Sequence, residues 1–384
     1  MGGKKAINAD LLKQQMVAFA QAAGLDLVGV APAEPFVRDE ERLRRRQESG
    51  FGPNPYEYQQ IEPRVNPDLL LPGVQSIIAG GISYLMEDEP PAEGLRGWIS
   101  RYCRGQDYHQ ILKERLQQVA TWLEEQVPGA RTMVYVDTGP PLDRAVAERA
   151  GIGKWGKSTN LITRDLGTWV FLGEILTDIP LPPDQPIDAA CGSCTLCIDA
   201  CPTQCLTEWQ MDANRCLSYV TQMKGIIPDE YREVMGNRLF GCDDCQDVCP
   251  YNKKARRGLH PEFASHPEVT GTPDLLQLMV MTKGDFKRWF EPTAAGWRGK
   301  TTIQRNAVIA LGNSGDPAAV EPLAKALESE SQPIRAHAAW GLGKVGRSLP
   351  EVAQQARSAL EARQHRETDP AVLLEIANAL SSLL

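Results

Sequence analysis

Apolar residues recur at helical spacing between positions 9 and 23, where Leu12, Met16, Phe19, Ala20 and Ala23 share one side, and Gly24 ends the run. Leu27–Val30 then reads as a short strand and SIIAGGISYL (76–85) as a buried one. The segment 108–127 predicts a helix that stops before Pro128-Gly129. MVYVDT (133–138) predicts a strand, and Pro140 and Pro141 open a helix with the body LDRAVAERA, ended by Gly151. TWVFLGEIL (168–176) predicts a further strand. Residues 38–48 mix five Arg with four acids, the mark of a solvated helix or arm, and FGPNPYEY after them is a loop. Strands alternating with helices predict an α/β or α+β domain over 1–180.

The pattern changes twice after that. Pro180, Pro182, Pro183 and Pro186 are too dense for a helix or a central strand and mark a linker. A cysteine-rich segment, 181–257, follows. From 258 to 384 the chain repeats: TIQRNAVIALGNSG aligns with PIRAHAAWGLGKVG at an offset of 31, so that Ile303 matches Ile334, Ala307 matches Ala338 and Leu311 matches Leu342. Asp316-Pro317 opens a helix between them, and Val372 to Leu380 is a weaker third copy. Short helix pairs at this period read as HEAT-like repeats, which commonly present a binding surface; an ordinary helical subdomain is the plainer alternative.

Length and composition fit this division. With 384 residues, 42% apolar and 23% charged, the chain is globular and needs no disulfide staples. The net charge of −8 excludes a globally basic coat but not a local patch. No apolar run reaches the ~20 residues of a membrane helix, and no signal-peptide stretch or twin Arg opens the chain, so a cytoplasmic protein with no membrane partner is expected.

Nine of the ten cysteines fall between 191 and 249. A reducing compartment argues for metal binding rather than disulfides. Cys191, Cys194, Cys197 and Cys201-Pro202 follow C-x2-C-x2-C-x3-C-P, the bacterial ferredoxin pattern for a 4Fe–4S cluster, whose fourth Cys ligates the other cluster in two-cluster proteins. Cys242, Cys245 and Cys249-Pro250 match the last three positions of the same pattern; the first would be Leu239, and Cys216 is the natural replacement. Crossed pairing assigns Cys191, Cys194, Cys197 and Cys249 to one cluster and Cys201, Cys216, Cys242 and Cys245 to the other. Two four-cysteine zinc sites are the alternative, but zinc sites usually pair two short knuckles across a gap. Cys205 is expected as packing.

Three further stretches carry candidate chemistry. Asp137 ends a strand just before Gly139-Pro140-Pro141, an edge where catalytic groups of α/β sheets collect, although Asp there is commonly a turn or cap residue. GIGKWGKSTNLIT (151–163) gathers backbone N–H groups with Lys154, Lys157, Ser158, Thr159 and Asn160, as an amide- or phosphate-bearing ligand would want; a structural hairpin is the alternative. RYCRGQDYH (101–109) places Cys103 near His109 with no third member for a nucleophilic set, and Asp107 as helix cap is the plainer reading. Lys253, Lys254, Arg256 and Arg257 follow the last cluster cysteine. The stretch 283–305 carries six basic residues, Arg298, Lys300 and Arg305 among them, against two acidic ones, with Trp289 and Trp297 interleaved. Basic groups with aromatics suit phosphates and unstacked bases; a solvated charged face is the alternative.

Taken together, PRVNPDLLLPGVQSII, RYCRGQDYH, VDTGPPLDRAVAERAGIGKWGKSTNLI, CGSCTLCIDACPT, RCLSYVTQ, FGCDDCQDVCPYNK and the RNAVIALGN repeat resemble the epoxyqueuosine reductase family of tRNA modification, over nearly the whole chain. The resemblance implies a nitroreductase-like, cobalamin-binding catalytic domain over 1–180, a ferredoxin-like domain with two 4Fe–4S clusters over 181–257, and a tRNA-binding HEAT-like domain over 258–384. It implies reduction of the epoxide of epoxyqueuosine at the wobble position of tRNA to queuosine, with electrons from a donor that the sequence does not identify. By resemblance Asp137 is the proton donor, and Arg64, Cys103, Asn160 and Ser218, with Asp137, line the corrin pocket. Lys253, Lys254, Arg256, Arg257, Arg298, Lys300 and Arg305 are the expected tRNA contacts. No cobalt-ligating D-x-H-x-x-G signature is present, so the cobalamin comes from the resemblance alone. A corrinoid reductive dehalogenase would share the cobalt-and-two-cluster plan but would normally carry a twin-Arg signal and lack the basic repeat. A ferredoxin-type carrier would need neither flanking domain.

Overall fold

The computed structural model describes residues 8–51, 55, 57, 59–87, 89, 93–188 and 191–383. The chain forms two compact units that interleave in sequence: Met1–Glu87, Asp107–Asn214 and Asp244–Phe263 make the first, and Asp88–Gln106, Arg215–Asp243 and Ala264–Leu384 the second. Boundaries expected at 180 and 257 do not coincide with these units. The cysteine-rich segment is shared out between them, because contiguity in sequence does not reveal where a chain leaves a core and re-enters it.

The first unit is built on β1 (Leu27–Pro32), β2 (Ser76–Ser83), β3 (Thr132–Tyr135) and β4 (Val170–Thr177), in the order β1-β2-β4-β3. Every pairing is antiparallel, which selects α+β over α/β. The helix Tyr108–Gln126 buries Tyr108, Leu112, Leu116, Val119, Ala120 and Leu123, one stripe of its surface. Leu116 fits a slot in the sheet where Gly80 of β2 pairs with Gly173 of β4. A Cβ on Gly80 would lie 2.8 Å from one Leu116 methyl and a Cβ on Gly173 2.7 Å from the other, so only glycine allows this approach. That contact seats the helix closely on the sheet. Asp107 caps it, accepting from the His109 N–H at 3.0 Å, as the sequence suggested. The loop after Gly151 is a small hairpin, Lys154–Trp155 against Leu161–Ile162.

In the second unit the three repeat copies are the helices Lys300–Asn313, Gln332–Ser348 and Pro370–Ser382, with Val320–Ala326 and Pro350–Gln364 between them. Asp316 accepts from the Ala318 N–H at the turn the sequence marked. Leu217, Val220, Ile227 and Met235 pack with Ile309 and Trp340 in one core, so the segment 215–243 is seated on the repeats. Arg305 corrects an expectation. It is 1% exposed, and its guanidinium donates to the carbonyls of Met223, Gly225 and Thr221 and to Asn306 Oδ1. It holds backbone together and presents nothing to a phosphate. Among the described residues no helix is long and apolar enough to cross a membrane.

Candidate active site and cysteine cluster

A cavity of about 320 Å³ opens in the first unit, lined by Tyr84, Tyr108, Asp137, Asp143, Arg144, Asn160, Leu161, Thr168, Val170, Phe171, Leu172 and Gln246. One wall is aromatic: Phe171 stacks on Tyr108 at 4.0 Å and on Tyr84 at 4.4 Å. Opposite are amide, hydroxyl and charged groups from the hairpin, the helix Asp143–Arg149 and the cysteine segment.

Asp137 lies two residues beyond β3 in the left-handed region, φ 54°, a conformation Asp tolerates better than most side chains. Its side chain is 59% exposed, and it borders the cavity. The Tyr108 hydroxyl donates to Oδ2 at 2.9 Å, and His109 Nε2 stands 3.3 Å from the same oxygen. Asp107 grips the other ring nitrogen, Nδ1, at 2.6 Å. The result is a carboxylate–imidazole–carboxylate row. Burial would lower the basicity of His109, but hydrogen bonds and charge from Asp107 and Asp137 outweigh it and push the ring up to about 9. Packing of the cavity wall around its inner side raises Asp137, although its outer side is open to solvent, and hydrogen bonds from His109 and Tyr108 with the charges of His109 and Arg144 hold it below the usual carboxylate range. At neutral pH the pair is therefore imidazolium and carboxylate. The sequence pointed to Asp137 and named His109 only beside Cys103; the i, i+1 placement of Tyr108 and His109 at a capped helix start was the signal for their convergence.

Arg144 donates to the Thr159 carbonyl at 2.7 Å and lies over the Trp155 ring at 5.0 Å. Thr159 is buried at φ 64°, a costly conformation for a β-branched residue, which marks the hairpin turn as held in place by its surroundings. The neighbouring Asn160 lines the cavity and donates through Nδ2 to Cys245 Sγ at 3.7 Å.

The other expected pocket residues are not among the residues lining this cavity. Arg64 is mostly buried, 3.9 Å from Glu57, with Arg46 and Arg144 close enough to disfavour its charge. Cys103 and Ser218 belong to the second unit. Cys103 is buried with its thiol 3.2 Å from the Ser100 carbonyl, and burial plus the Asp243 charge drive its ionisation well up, the opposite of a nucleophile's setting. Ser218 offers its carbonyl to Thr221 and Gln222.

Cys191, Cys194, Cys197 and Cys249 all fall in the first unit. Burial and then the charges of Cys191, Cys249 and Cys194 raise the Cys197 thiol, and Cys191 and Cys194 do the same to Cys249. Among the described residues no group of three or more His, Cys, Asp or Glu is placed to hold a metal ion. The Lys157 N–H donates to Cys191 Sγ at 3.4 Å. Cys201 and Cys245 also lie in the first unit, Cys216 and Cys242 in the second. Cys205 is buried, as packing requires, with its sulfur 3.4 Å from that of Cys201.

Lys253, Lys254, Arg256 and Arg257 are exposed. Arg298 and Lys300 are half-buried and donate to the carbonyls of Gln222 and Met281. Trp289 is buried and Trp297 is 57% exposed, under the Arg298 guanidinium.

Comparison with known proteins gives the same outline. Residues 64–138 match the family model "Epoxyqueuosine reductase QueG, DUF1730", residues 190–252 a 4Fe–4S double cluster binding domain, and residues 299–381 HEAT repeats. The chain is 40% identical to the epoxyqueuosine reductase of Bacillus cereus, with 97% of both chains covered. A crystal structure of epoxyqueuosine reductase with an epoxyqueuosine-modified tRNA-Tyr stem loop superposes with a TM-score of 0.90 at 39% identity, covering 97% of this chain and 99% of that one. A Bacillus subtilis structure, whose catalytic Asp loop is swung out of the active site, gives the same TM-score at 38% identity over 97% and 99% of the two chains. This chain belongs to the epoxyqueuosine reductase family.

Proposed function

We propose that the protein reduces epoxyqueuosine in tRNA to queuosine, with Asp137 passing a proton to the leaving oxygen. The observation that carries this reading is the row Asp107–His109–Asp137 at the mouth of a cavity whose other wall touches a cluster cysteine through Asn160. Converting an epoxide to an alkene breaks two C–O bonds, forms a C=C bond and releases water, consuming two electrons and two protons. Cys191, Cys194, Cys197 and Cys249 would hold one 4Fe–4S cluster and Cys201, Cys216, Cys242 and Cys245 the other, and the pair, when bound, would supply one-electron transfer from an external donor. A tRNA substrate makes the cytoplasm the working compartment.

The cavity also supports a corrin cofactor in a nitroreductase-like domain. Asn160, Gln246 and Thr168 offer amide and hydroxyl groups that match the amide fringe of a corrin, and Val170 and Leu172 offer apolar surface. When bound, cobalamin would supply a reduced cobalt centre able to act on the epoxide. Arg64, Cys103 and Ser218 join that pocket only on the family resemblance. The deciding assay is nucleoside analysis of epoxyqueuosine-containing tRNA after incubation with the iron–sulfur protein and a reductant, with and without cobalamin. Conversion only with cobalamin is expected; no conversion in either arm removes the function.

His109 gives this reading a pH signature. Its folded-state value of about 9 lies above the ordinary 6.5, so the imidazolium that recharges Asp137 is present through neutrality and is lost as pH rises through about 9. The expected result is a kcat that falls above that pH, and a His109→Gln variant that is slow throughout and lacks this limb. An unaltered limb in the variant assigns it to another group.

Lys253, Lys254, Arg256 and Arg257 are the proposed tRNA phosphate contacts, with Arg298 and Lys300 contributing from their open sides. Neutralising Arg256 and Arg257 together is expected to weaken tRNA binding and to make its salt dependence shallower by about 1.4 in log–log slope, near 0.7 per lost contact on single strands. Equal affinity and slope would place the RNA elsewhere.

A further inference from the structure

The reaction consumes two protons, and the Asp107–His109–Asp137 row holds only one that can be released, on the imidazole. The structure has a second place for one. Val170, Leu172 and Glu174 alternate along one face of β4; the first two line the cavity, and Glu174 continues that face inward, paired in register with Tyr135 of β3. Glu174 is 1% exposed, and neither of its carboxyl oxygens has a hydrogen-bond partner among the described residues. Asp143, the first residue of the helix Asp143–Arg149, faces it and also lines the cavity beside Asp137. A buried carboxylate with both oxygens unsatisfied is costly. Two adjoining carboxyls cannot both ionise there, and a single proton between them satisfies both.

We propose that Asp143 and Glu174 form a carboxyl pair that stores one proton beneath the cavity and passes it, through Asp143, to Asp137, so supplying the second proton of the reduction. This rests on the epoxide-reduction reading. The surrounding charges agree with storage. Burial and then the negative charge of Asp137 raise Asp143 to about 6, and burial with Asp143 and Asp137 raises Glu174 well above its ordinary value. Arg144, on the same helix, and Arg64 are the cations facing Asp143, and neither offsets the burial of Glu174. Proton and charge balance is kept: the row gives one proton, the pair gives the other, two electrons arrive through the clusters, and the epoxide oxygen leaves as water.

Both residues act through Asp137 and are positioning residues. The test is infrared difference spectroscopy on exchange into D₂O, on the iron–sulfur protein without cobalamin or tRNA at pH 7, combined with steady-state reduction of epoxyqueuosine-containing tRNA. The wild type should show the carbonyl band of a buried protonated carboxyl. Glu174→Gln should lose that band, because Asp143 alone ionises, and should lower kcat by about 10²-fold with KM unchanged. Asp143→Asn should keep a band from Glu174 and lower kcat similarly, because the outlet is gone. A wild type without the band, or either variant with wild-type kcat, overturns the proposal. A wild type that shows the band but converts no tRNA overturns the functional reading instead, and the delivery step with it.

Discussion

Asp137→Asn is expected to retain iron, sulfide and tRNA affinity while losing about 10²- to 10⁴-fold in epoxide reduction. The side chains are isosteric, so the Tyr108 hydroxyl still has an oxygen to bond at the position it now occupies, 2.9 Å from Oδ2. What disappears is the ability to take a proton from His109 and release it. The ion pair also disappears, so the His109 ring, pushed up to about 9 by Asp107 and Asp137 together, should titrate lower in the variant. Two measurements on one protein therefore follow: single-turnover conversion of the modified nucleoside, and the His109 titration by NMR. Near-normal turnover would remove Asp137 from proton transfer. A silent His109 titration would remove the pairing that charges it.

Cys249→Ser is expected to halve the iron, from about eight to about four per chain, and to abolish turnover. Cys249 lies far along the chain from Cys191, Cys194 and Cys197, yet the charges of Cys191 and Cys194 act on it directly. Crossed pairing then predicts that Cys194→Ser and Cys249→Ser lose the same cluster and give identical reduced-state EPR spectra, while Cys245→Ser gives a different one. If Cys249→Ser resembles Cys245→Ser, each cysteine run feeds its own cluster and the crossing is wrong. Binding of the metal is coupled to folding of such loops, so each variant's fold should be checked on the 299–381 repeats as well as on iron content.

The elements of this fold were largely legible in the chain. Period and capping residues located the helix that begins after Asp107, the four strands of the sheet and all three repeat helices. Local pattern did not carry strand direction, so α/β and α+β stayed open until the pairing of β2 with β4 resolved them. Three side chains show where sequence reading stops. Arg305 looked like a phosphate ligand because charge normally marks surface, yet buried carbonyls at Met223, Gly225 and Thr221 needed a donor. Glu174 sat unnoticed in an apolar strand because one charge in such a run reads as an exception. Cys103 drew notice for its proximity to His109 in sequence, while its thiol turns toward Ser100. For Arg305 and Glu174 the decisive partner is remote along the chain, whereas for Cys103 it is only three residues away. The ferredoxin spacing was legible for the opposite reason: Cys191, Cys194 and Cys197 sit on one short loop, so their chemistry is written in the intervals.

Asn160 both lines the cavity and donates from its amide nitrogen to Cys245. A hydrogen bond to a ligand sulfur makes the attached cluster easier to reduce. An electron on a cluster held there would place negative charge at the rim of a space already lined by two carboxyls, Asp137 and Asp143, and would tighten their hold on protons. Redox poise and acidity at this site are thus one property observed in two ways: whatever alters Asn160 should move a midpoint potential and a proton affinity together, and substrate that displaces the amide would time electron arrival and proton release to the same event.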